Sequence, residues 1–210
     1  MRLDTGRFVF HPYVEGRKVT EQELQRDFAG TWEYLCRNRA KLESRRSNTE
    51  GGRAWWEPVR PRKPGDMFRP KIVTPHLVVV PRFALDADGR YAVSHSPFLY
   101  PKDQFGDPDL LLRFFVAVLN STVCYWHVAR HSHHYQHGYA MLEVGTLSGT
   151  PVPDPARVPP ALMRRLLGLV NDRLGCEGSR AADLELQLDR TVADIYGLTQ
   201  DERRILGMER

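Results

Sequence analysis

Residues 53–75 read RAWWEPVRPRKPGDMFRPKIVTP, and residues 76–83 continue as HLVVVPRF. Proline recurs too often in this stretch for a single helix, because each proline removes a backbone donor and clashes with the preceding turn. The apolar run at 77–80 predicts a strand, and Pro75 before it indicates an edge position or a bulge. The stretch is therefore expected to hold arginine, lysine and tryptophan side chains on an irregular surface beside a strand.

Positive charge is concentrated around this stretch. Residues 37–71 carry eleven Lys or Arg and four Asp or Glu, a net charge of +7, whereas the whole chain has a net charge of +4. Such a local excess attracts phosphate and accelerates encounter with polyanions. An ordinary solvated face is the alternative, but Trp55, Trp56 and Phe68 lie among the cations, and exposed aromatic rings favour a nucleic acid.

The first half of the chain predicts helices and short strands. Residues 8–13 alternate as a strand, and Thr20 with Glu23 forms a capping box that begins a helix. Apolar residues at helical spacing continue this helix to Leu42. Residues 71–74 and 76–80 read as one strand interrupted by Pro75, and a tight turn at 87–90 followed by alternation at 91–95 predicts a β-hairpin.

The second half is predicted to be mainly helical. A helix begins at Asp107 and is expected to continue to about Val128, and a polar, histidine-rich connector follows it. Two further helices are expected at 159–175 and 181–196, with Gly197 in the left-handed position, and Thr199 opens a final short helix. The predicted fold class is α+β: a small mixed or antiparallel sheet with flanking helices and then a helical C-terminal tail.

Several classes of protein do not fit the sequence. No apolar run reaches the length of a membrane span, and the first residues lack the apolar core of a signal peptide. Three widely spaced cysteines make no disulfide framework, which predicts a cytoplasmic protein. Neither a glycine-rich phosphate loop nor a Gly-x-Ser-x-Gly motif is present, so no cofactor is expected to bind this chain.

One catalytic alternative is a metal-dependent enzyme. Cys124, His127 and His131 share a helical stripe, and thiolate with imidazole ligands could hold zinc. No carboxylate base lies close in sequence, and a buried, inert Cys124 is the simpler interpretation. The imidazoles that follow could instead contact DNA together with a stackable tyrosine, which makes His133, His134 and Tyr135 candidate DNA-binding residues.

Several segments, in a shared order, resemble the TaqI-like C-terminal specificity domain, the target-recognition part of adenine-N6 DNA methyltransferases in restriction-modification and phage-defence systems. The resemblance covers residues 8–155 and part of the tail. Its segments are WWE at 55–57 with Arg60, RPKIVTP at 69–75, PRFALD at 81–86 with Gly89, FVAVLNS at 115–121, GTPVP at 149–153 and IYGLT at 195–199.

The resemblance implies a DNA-binding role without catalysis. Complete enzymes of this kind also carry a glycine-rich S-adenosylmethionine loop and an Asn/Asp/Ser-Pro-Pro-Tyr/Phe motif, and this sequence has neither. We therefore expect residues 1–155 to form the specificity domain and 156–210 a helical extension. The expected partners are double-stranded DNA and a methyltransferase catalytic domain or subunit, and S-adenosylmethionine would belong to that catalytic part.

Charge and position suggest roles for individual residues. Contacts to the DNA backbone are expected from Arg45, Arg46, Arg62 and Lys63. Contacts to base edges are expected from Arg60, Arg69 and Lys71. Trp55 and Trp56 could stack or wedge, with one of the two expected in the core. A protein-docking adaptor, whose basic face meets an acidic partner, is a further alternative.

Overall fold

The computed structural model describes residues 6, 8–45, 53–58, 65–80, 82–93 and 95–208. Four of the candidate residues, namely Arg46, Arg60, Arg62 and Lys63, lie outside these ranges. The chain divides into two compact units between Phe68 and Arg69: the N-terminal unit holds residues 6–68, and the C-terminal unit holds residues 69–210.

The N-terminal unit begins with a short antiparallel hairpin. Strands β1 (Tyr13–Val14) and β2 (Arg17–Lys18) are joined by Glu15 and Gly16, whose φ angles are 48° and 81°. Positive φ at both central residues is what a two-residue hairpin loop needs. The strand predicted for residues 8–13 is therefore wrong, since pairing begins only at Tyr13.

Helices α1 (Glu21–Asp27), α2 (Ala29–Arg37) and α3 (Arg39–Glu43) follow the hairpin. The capping box of Thr20 and Glu23 is confirmed. The single helix expected up to Leu42 is interrupted at Phe28 and Asn38, where the backbone leaves helical geometry. The apolar face survives these breaks: the core of this unit consists of Val19, Leu24, Leu35 and Trp56.

The C-terminal unit contains two small antiparallel sheets among the residues that the structure describes. The first sheet has the order β5 (Ala84–Asp86), β3 (Lys71–Val73), β6 (Phe98–Leu99). The second pairs β4 (Leu77–Val78) with β7 (Ala140–Met141). Pro75 thus separates two strands that belong to different sheets.

The β-hairpin predicted at the turn of residues 87–90 is wrong, because the described residues among 91–95 form no strand. The amides of Arg90 and Tyr91 donate to the Asp86 carboxylate at 2.9 and 3.1 Å. These bonds fold the chain back onto Asp86 after the turn, so residues 90 and 91 do not continue as a strand paired with β5. The chain instead pairs β5 with β3, and β6 supplies the third strand.

Helix α4 (Pro108–Leu119) is followed by α5 (Thr122–His131), and the two are bent by 67°. One continuous helix was expected here. The break at Asn120 and Ser121 has two side-chain causes. Asn120 bonds the backbone of Phe83 instead of continuing the helix, and Ser121 caps α5 by accepting from the Cys124 amide.

Helices α6 (Val144–Ser148), α7 (Pro160–Leu174), α8 (Ser179–Tyr196) and α9 (Gln200–Ile205) complete the unit. The left-handed Gly197, with φ of 68°, and the capping box of Thr199 with Glu202 are confirmed. Helices α7 and α8 pack against α4, and the core includes Phe114, Val118, Leu166 and Val192. The predicted α+β class, with small antiparallel sheets and a helical C-terminal region, is confirmed.

Among the described residues, no single helix has the length and apolar character of a membrane span; only α4 and α5 taken together, despite their bend, pass that test.

The observed division after Phe68 groups α7 and α8 with the sheets. The boundary expected at 155/156, which separates a specificity role from an extension, stays a prediction.

Candidate nucleic-acid interface

An aromatic and cationic stack lies on the N-terminal unit. The Arg39 guanidinium sits 5.0 Å from the centre of the Trp55 ring, and the Trp55 and Trp32 rings are 5.5 Å apart. Arg39 also donates to Glu43 at 2.7 Å, one helical turn further on. Trp55 is half-buried, and its contact with DNA stays a prediction.

Trp56 belongs to the core of the same unit. Its side chain is 4% exposed, and its indole nitrogen donates to Glu21 at 3.2 Å. The expectation that one of the two tryptophans is internal is met, and a DNA contact by Trp56 itself is wrong because its ring has no free face to offer. Arg45 is half-buried and donates from Nε to the Leu42 carbonyl.

Lys71 cannot read base edges, which corrects the prediction. The strand register places it directly opposite Asp86, and the two side chains form an ion pair with 0% and 2% exposure. Two charges this deeply buried are held by one another and by hydrogen bonds. Lys71 is therefore a structural residue of the β3–β5 pair. Arg69 differs, because its guanidinium lies 5.1 Å from the Tyr100 ring centre and its side chain is only half-buried.

A second surface lies on the C-terminal unit, where α5 ends and its connector to β7 begins. All of its side chains are exposed and either planar or cationic, and we call it the α5-end surface. It consists of Trp126, Arg130, His131, His133, His134, Tyr135, His137 and Tyr139. The predicted contact residues His133, His134 and Tyr135 are thus brought together on one segment, and their contact with DNA stays a prediction.

Two pairs of planar groups stack at this end of α5. The Arg130 guanidinium lies 3.8 Å from the centre of the Trp126 ring and donates to the Trp126 carbonyl. The imidazoles of His127 and His131 are 4.0 Å apart and inclined by 18°. Both pairs have i, i+4 spacing, which places side chains on one helical face. That spacing was the signal for Trp126 and Arg130, which the sequence analysis missed.

The histidine ring nitrogens have assignable roles in this stack. Nδ1 of His131 lies 2.8 Å from the His127 carbonyl, which only accepts, so Nδ1 carries a proton. The pKa of His127 is lowered by burial and, to a smaller extent, by the neighbouring His131. His127 is therefore biased toward the neutral form. Of the two imidazole rings, that of His131 is the more exposed to solvent and is called the outer ring.

The connector that follows is closed into a compact loop. The Tyr135 amide donates to the Tyr139 carbonyl at 2.7 Å, and His134 forms a bridge with Ala140. His137 and Gly138 both have positive φ, 63° and 76°, which is uncommon for a histidine. The rings of Tyr135 and Tyr139 are 51% and 40% exposed, although large rings are usually more deeply buried.

The metal alternative does not fit this geometry. Cys124 is 1% exposed, whereas the outer ring of the histidine pair, His131, faces solvent. Within the ranges that the structure describes, no group of three or more His, Cys, Asp or Glu could hold a metal ion. Burial raises the pKa of the Cys124 thiol to about 12, which leaves it protonated and a poor nucleophile.

A thiol-labelling experiment checks the state of Cys124. In the native chain at about pH 8, a reagent such as dithiobis-nitrobenzoate should modify exposed Cys36 and half-buried Cys176, whereas Cys124 should react only after unfolding. The thiolate fraction of a group with a pKa of about 12 is on the order of 10⁻⁴ at that pH. Rapid labelling of all three cysteines without denaturant would contradict this placement.

Contacts in the C-terminal unit join the segments that carry the family resemblance. The Asn120 side chain accepts from the Phe83 amide and donates to its carbonyl, both at 2.9 Å. Tyr196 donates to the Pro151 carbonyl at 2.8 Å. Together with the ion pair of Lys71 and Asp86, these bonds connect segments that lie far apart along the chain.

No protein-family model matches this chain, and no curated protein is significantly similar to it. The resemblance therefore rests on the order of its sequence segments alone.

Proposed function

We propose that this chain is a non-catalytic module that binds double-stranded DNA and recognises the target site of an adenine-N6 methyltransferase. The methyl transfer would take place on a separate catalytic domain or subunit, which would hold S-adenosylmethionine. The proposed setting is a cytoplasmic restriction-modification or phage-defence system. In this chain the role is to bind, orient and select DNA, because positioning contacts and base contacts are separable tasks.

The net charge of +7 over residues 37–71 carries the proposal of duplex binding, and the α5-end surface adds a place where nucleobases can be held. Exposed rings are unusual on a surface that faces only water, because large aromatic side chains are usually buried. The guanidinium of Arg130 has no carboxylate partner among the described residues. Glu143, 3.4 Å from His133, is the one carboxylate that pairs with this surface in the described part of the chain. Aromatic rings next to a cation are what proteins use to hold nucleobases.

The hydrogen bonds between the family-like segments support the more specific role. Asn120, Lys71 and Tyr196 each have a structural task that requires their particular side chain. Under the proposal, these bonds would hold the family-like segments in one fold. The link from that fold to target recognition is an analogy, and the experiment below tests it directly.

Selection from a pool of duplexes with a randomised stretch tests target recognition. The purified full chain should enrich one short sequence over successive rounds. Arg69→Ala should weaken the preference at one base pair, because a bidentate contact from arginine to guanine is worth ~1–3 kcal/mol. That loss corresponds to about 5-fold to 150-fold in discrimination at this position.

The matched control is Arg164→Ala, which removes the same charge from α7, a helix with none of the proposed contacts. It should leave the enriched sequence unchanged. Duplex binding without any enrichment would overturn target recognition, and an absence of duplex binding, with a methyltransferase catalytic domain also present, would overturn the proposed function as a whole.

A further inference from the structure

We infer that the α5-end surface binds unpaired nucleobases of DNA by stacking, so that the chain prefers a duplex with a locally opened segment over a fully paired one. This inference rests on the proposed DNA binding and names the form of DNA that one surface of the C-terminal unit takes.

Each stacked pair ends in an exposed planar group. The Arg130 guanidinium covers the Trp126 ring, and the His131 imidazole covers that of His127. Arg130 and His131 are neighbours in sequence at the last turn of the helix, and both are exposed. A nucleobase can stack on a guanidinium plane or an imidazole as it does on another base. Each pair is thus a short column whose outer end is open.

The tyrosines of the connector add two more exposed rings. Because Tyr135 and Tyr139 are joined by a backbone hydrogen bond, the loop that carries them is closed before any ligand arrives. Tyrosine also loses little conformational freedom when it makes a contact, since only two torsions have to be fixed. A ring held in this way loses less entropy on binding than one on an open loop would.

The charge of the surface favours stacking over contacts with phosphates. Arg130 is its one permanent cation, and Glu143 lies against His133. A surface with so little fixed charge gains little from the release of counterions. In paired DNA the base faces are covered by their neighbours, and the grooves present only base edges. Exposed rings on the protein therefore gain the most binding free energy from bases that are no longer stacked within the DNA.

Three labelled duplexes of the same sequence separate the contribution of base stacking from that of duplex flexibility. The first is fully paired, the second carries two unpaired adenines in one strand, and the third carries two abasic residues at the same positions. The third duplex has the flexibility of the second without its bases. The intact chain should bind the second about 10-fold more tightly than the first for each adenine that stacks. The third should show little of this preference.

Two substitutions locate the effect. Trp126→Leu keeps an apolar side chain but removes the ring beneath Arg130. It should lower the preference severalfold, because one of the two columns is lost, while the affinity for paired DNA changes little. Trp126→Phe should retain part of it. The control is Tyr34→Ala, which removes a ring that is 60% exposed on α2 of the N-terminal unit and should leave the preference intact. Circular dichroism verifies that each variant is folded.

The outcomes distinguish this inference from the proposed function. Tight binding of all three duplexes with equal affinity would overturn the inference and leave duplex recognition standing. Binding of unpaired adenines without any affinity for the paired duplex would overturn duplex recognition and support the inference. An equal preference for adenine and abasic duplexes would show that stacking is not the cause, and a full preference in Trp126→Leu would overturn the role assigned to the Trp126–Arg130 pair.

Discussion

Replacing Lys71 by methionine is expected to lower the free energy of unfolding of the C-terminal unit by about 3–5 kcal/mol, because it leaves the buried carboxylate of Asp86 without its cation. The Asp86 side chain is 2% exposed, so water cannot replace the lost partner. The amides of Arg90 and Tyr91 still donate to this carboxylate and place the loss near the lower end of the range.

A second substitution separates the buried charge from the lost contact. The double variant Lys71→Met with Asp86→Asn has no ionised group at this site, and the asparagine oxygen can still accept from the turn. It should therefore be more stable than Lys71→Met alone, since replacing a buried pair by neutral side chains is often tolerated. The comparison measures how much of the loss comes from an unpaired charge.

Chemical unfolding followed by far-ultraviolet circular dichroism is the suitable measurement, because the longest described helices, α4, α7 and α8, belong to the C-terminal unit. Tryptophan fluorescence would mainly report the N-terminal unit, which contains Trp32, Trp55 and Trp56. The control is Arg157→Met, which breaks an ion pair whose arginine is 88% exposed. It should change stability by about 0.5 kcal/mol or less. A similarly small effect for Lys71→Met would contradict the account of this pair.

The sequence predicted those features that depend on neighbouring residues. The capping boxes at Thr20 and Thr199 and the left-handed Gly197 formed as expected. In each case the hydrogen-bond partners lie within a few residues, so a short stretch of sequence contains all the necessary information.

Predictions of features that depend on residues far apart in the sequence were wrong, or the features were not predicted at all. The helix expected up to Val128 breaks at Asn120, because that side chain bonds Phe83, 37 residues earlier. Lys71 was assigned to a base edge, although the strand register pairs it with Asp86, 15 residues away. Spacing alone reveals neither the register nor the depth of burial, and both decide whether a cation faces DNA or a carboxylate.

The candidate site was predicted in part. His133, His134 and Tyr135 lie on one exposed segment as expected, but the preceding pair of Trp126 and Arg130 was not recognised. Its i, i+4 spacing was visible in the sequence. The helix was expected to end near Val128, and that boundary would have left Arg130 beyond the helix and away from the tryptophan ring.

A salt titration of duplex binding is expected to show a steep loss of affinity as the salt concentration rises. Four cations are proposed to contact the DNA backbone, namely Arg45, Arg46, Arg62 and Lys63. Each neutralised phosphate contributes ~0.9 to the slope of log K against log salt, which gives a slope of about −3.6. A fourfold rise in KCl should therefore weaken binding by about 150-fold.

Charge-matched variants connect this slope to particular residues. Arg62→Gln with Lys63→Gln should reduce the slope to about −1.8, because two phosphate contacts are lost. Arg164→Gln with Arg180→Gln removes the same charge from α7 and α8, where no contact with DNA is proposed. That control should retain the full slope, so a general effect of net charge would be recognised.

The direct test of DNA recognition by this chain is therefore its affinity for a duplex, measured by fluorescence anisotropy at increasing KCl with both double variants in parallel. We predict a steep negative slope that is halved by the changes at Arg62 and Lys63 and unaffected by those at Arg164 and Arg180. A flat titration, or a slope that both double variants reduce equally, would contradict the account.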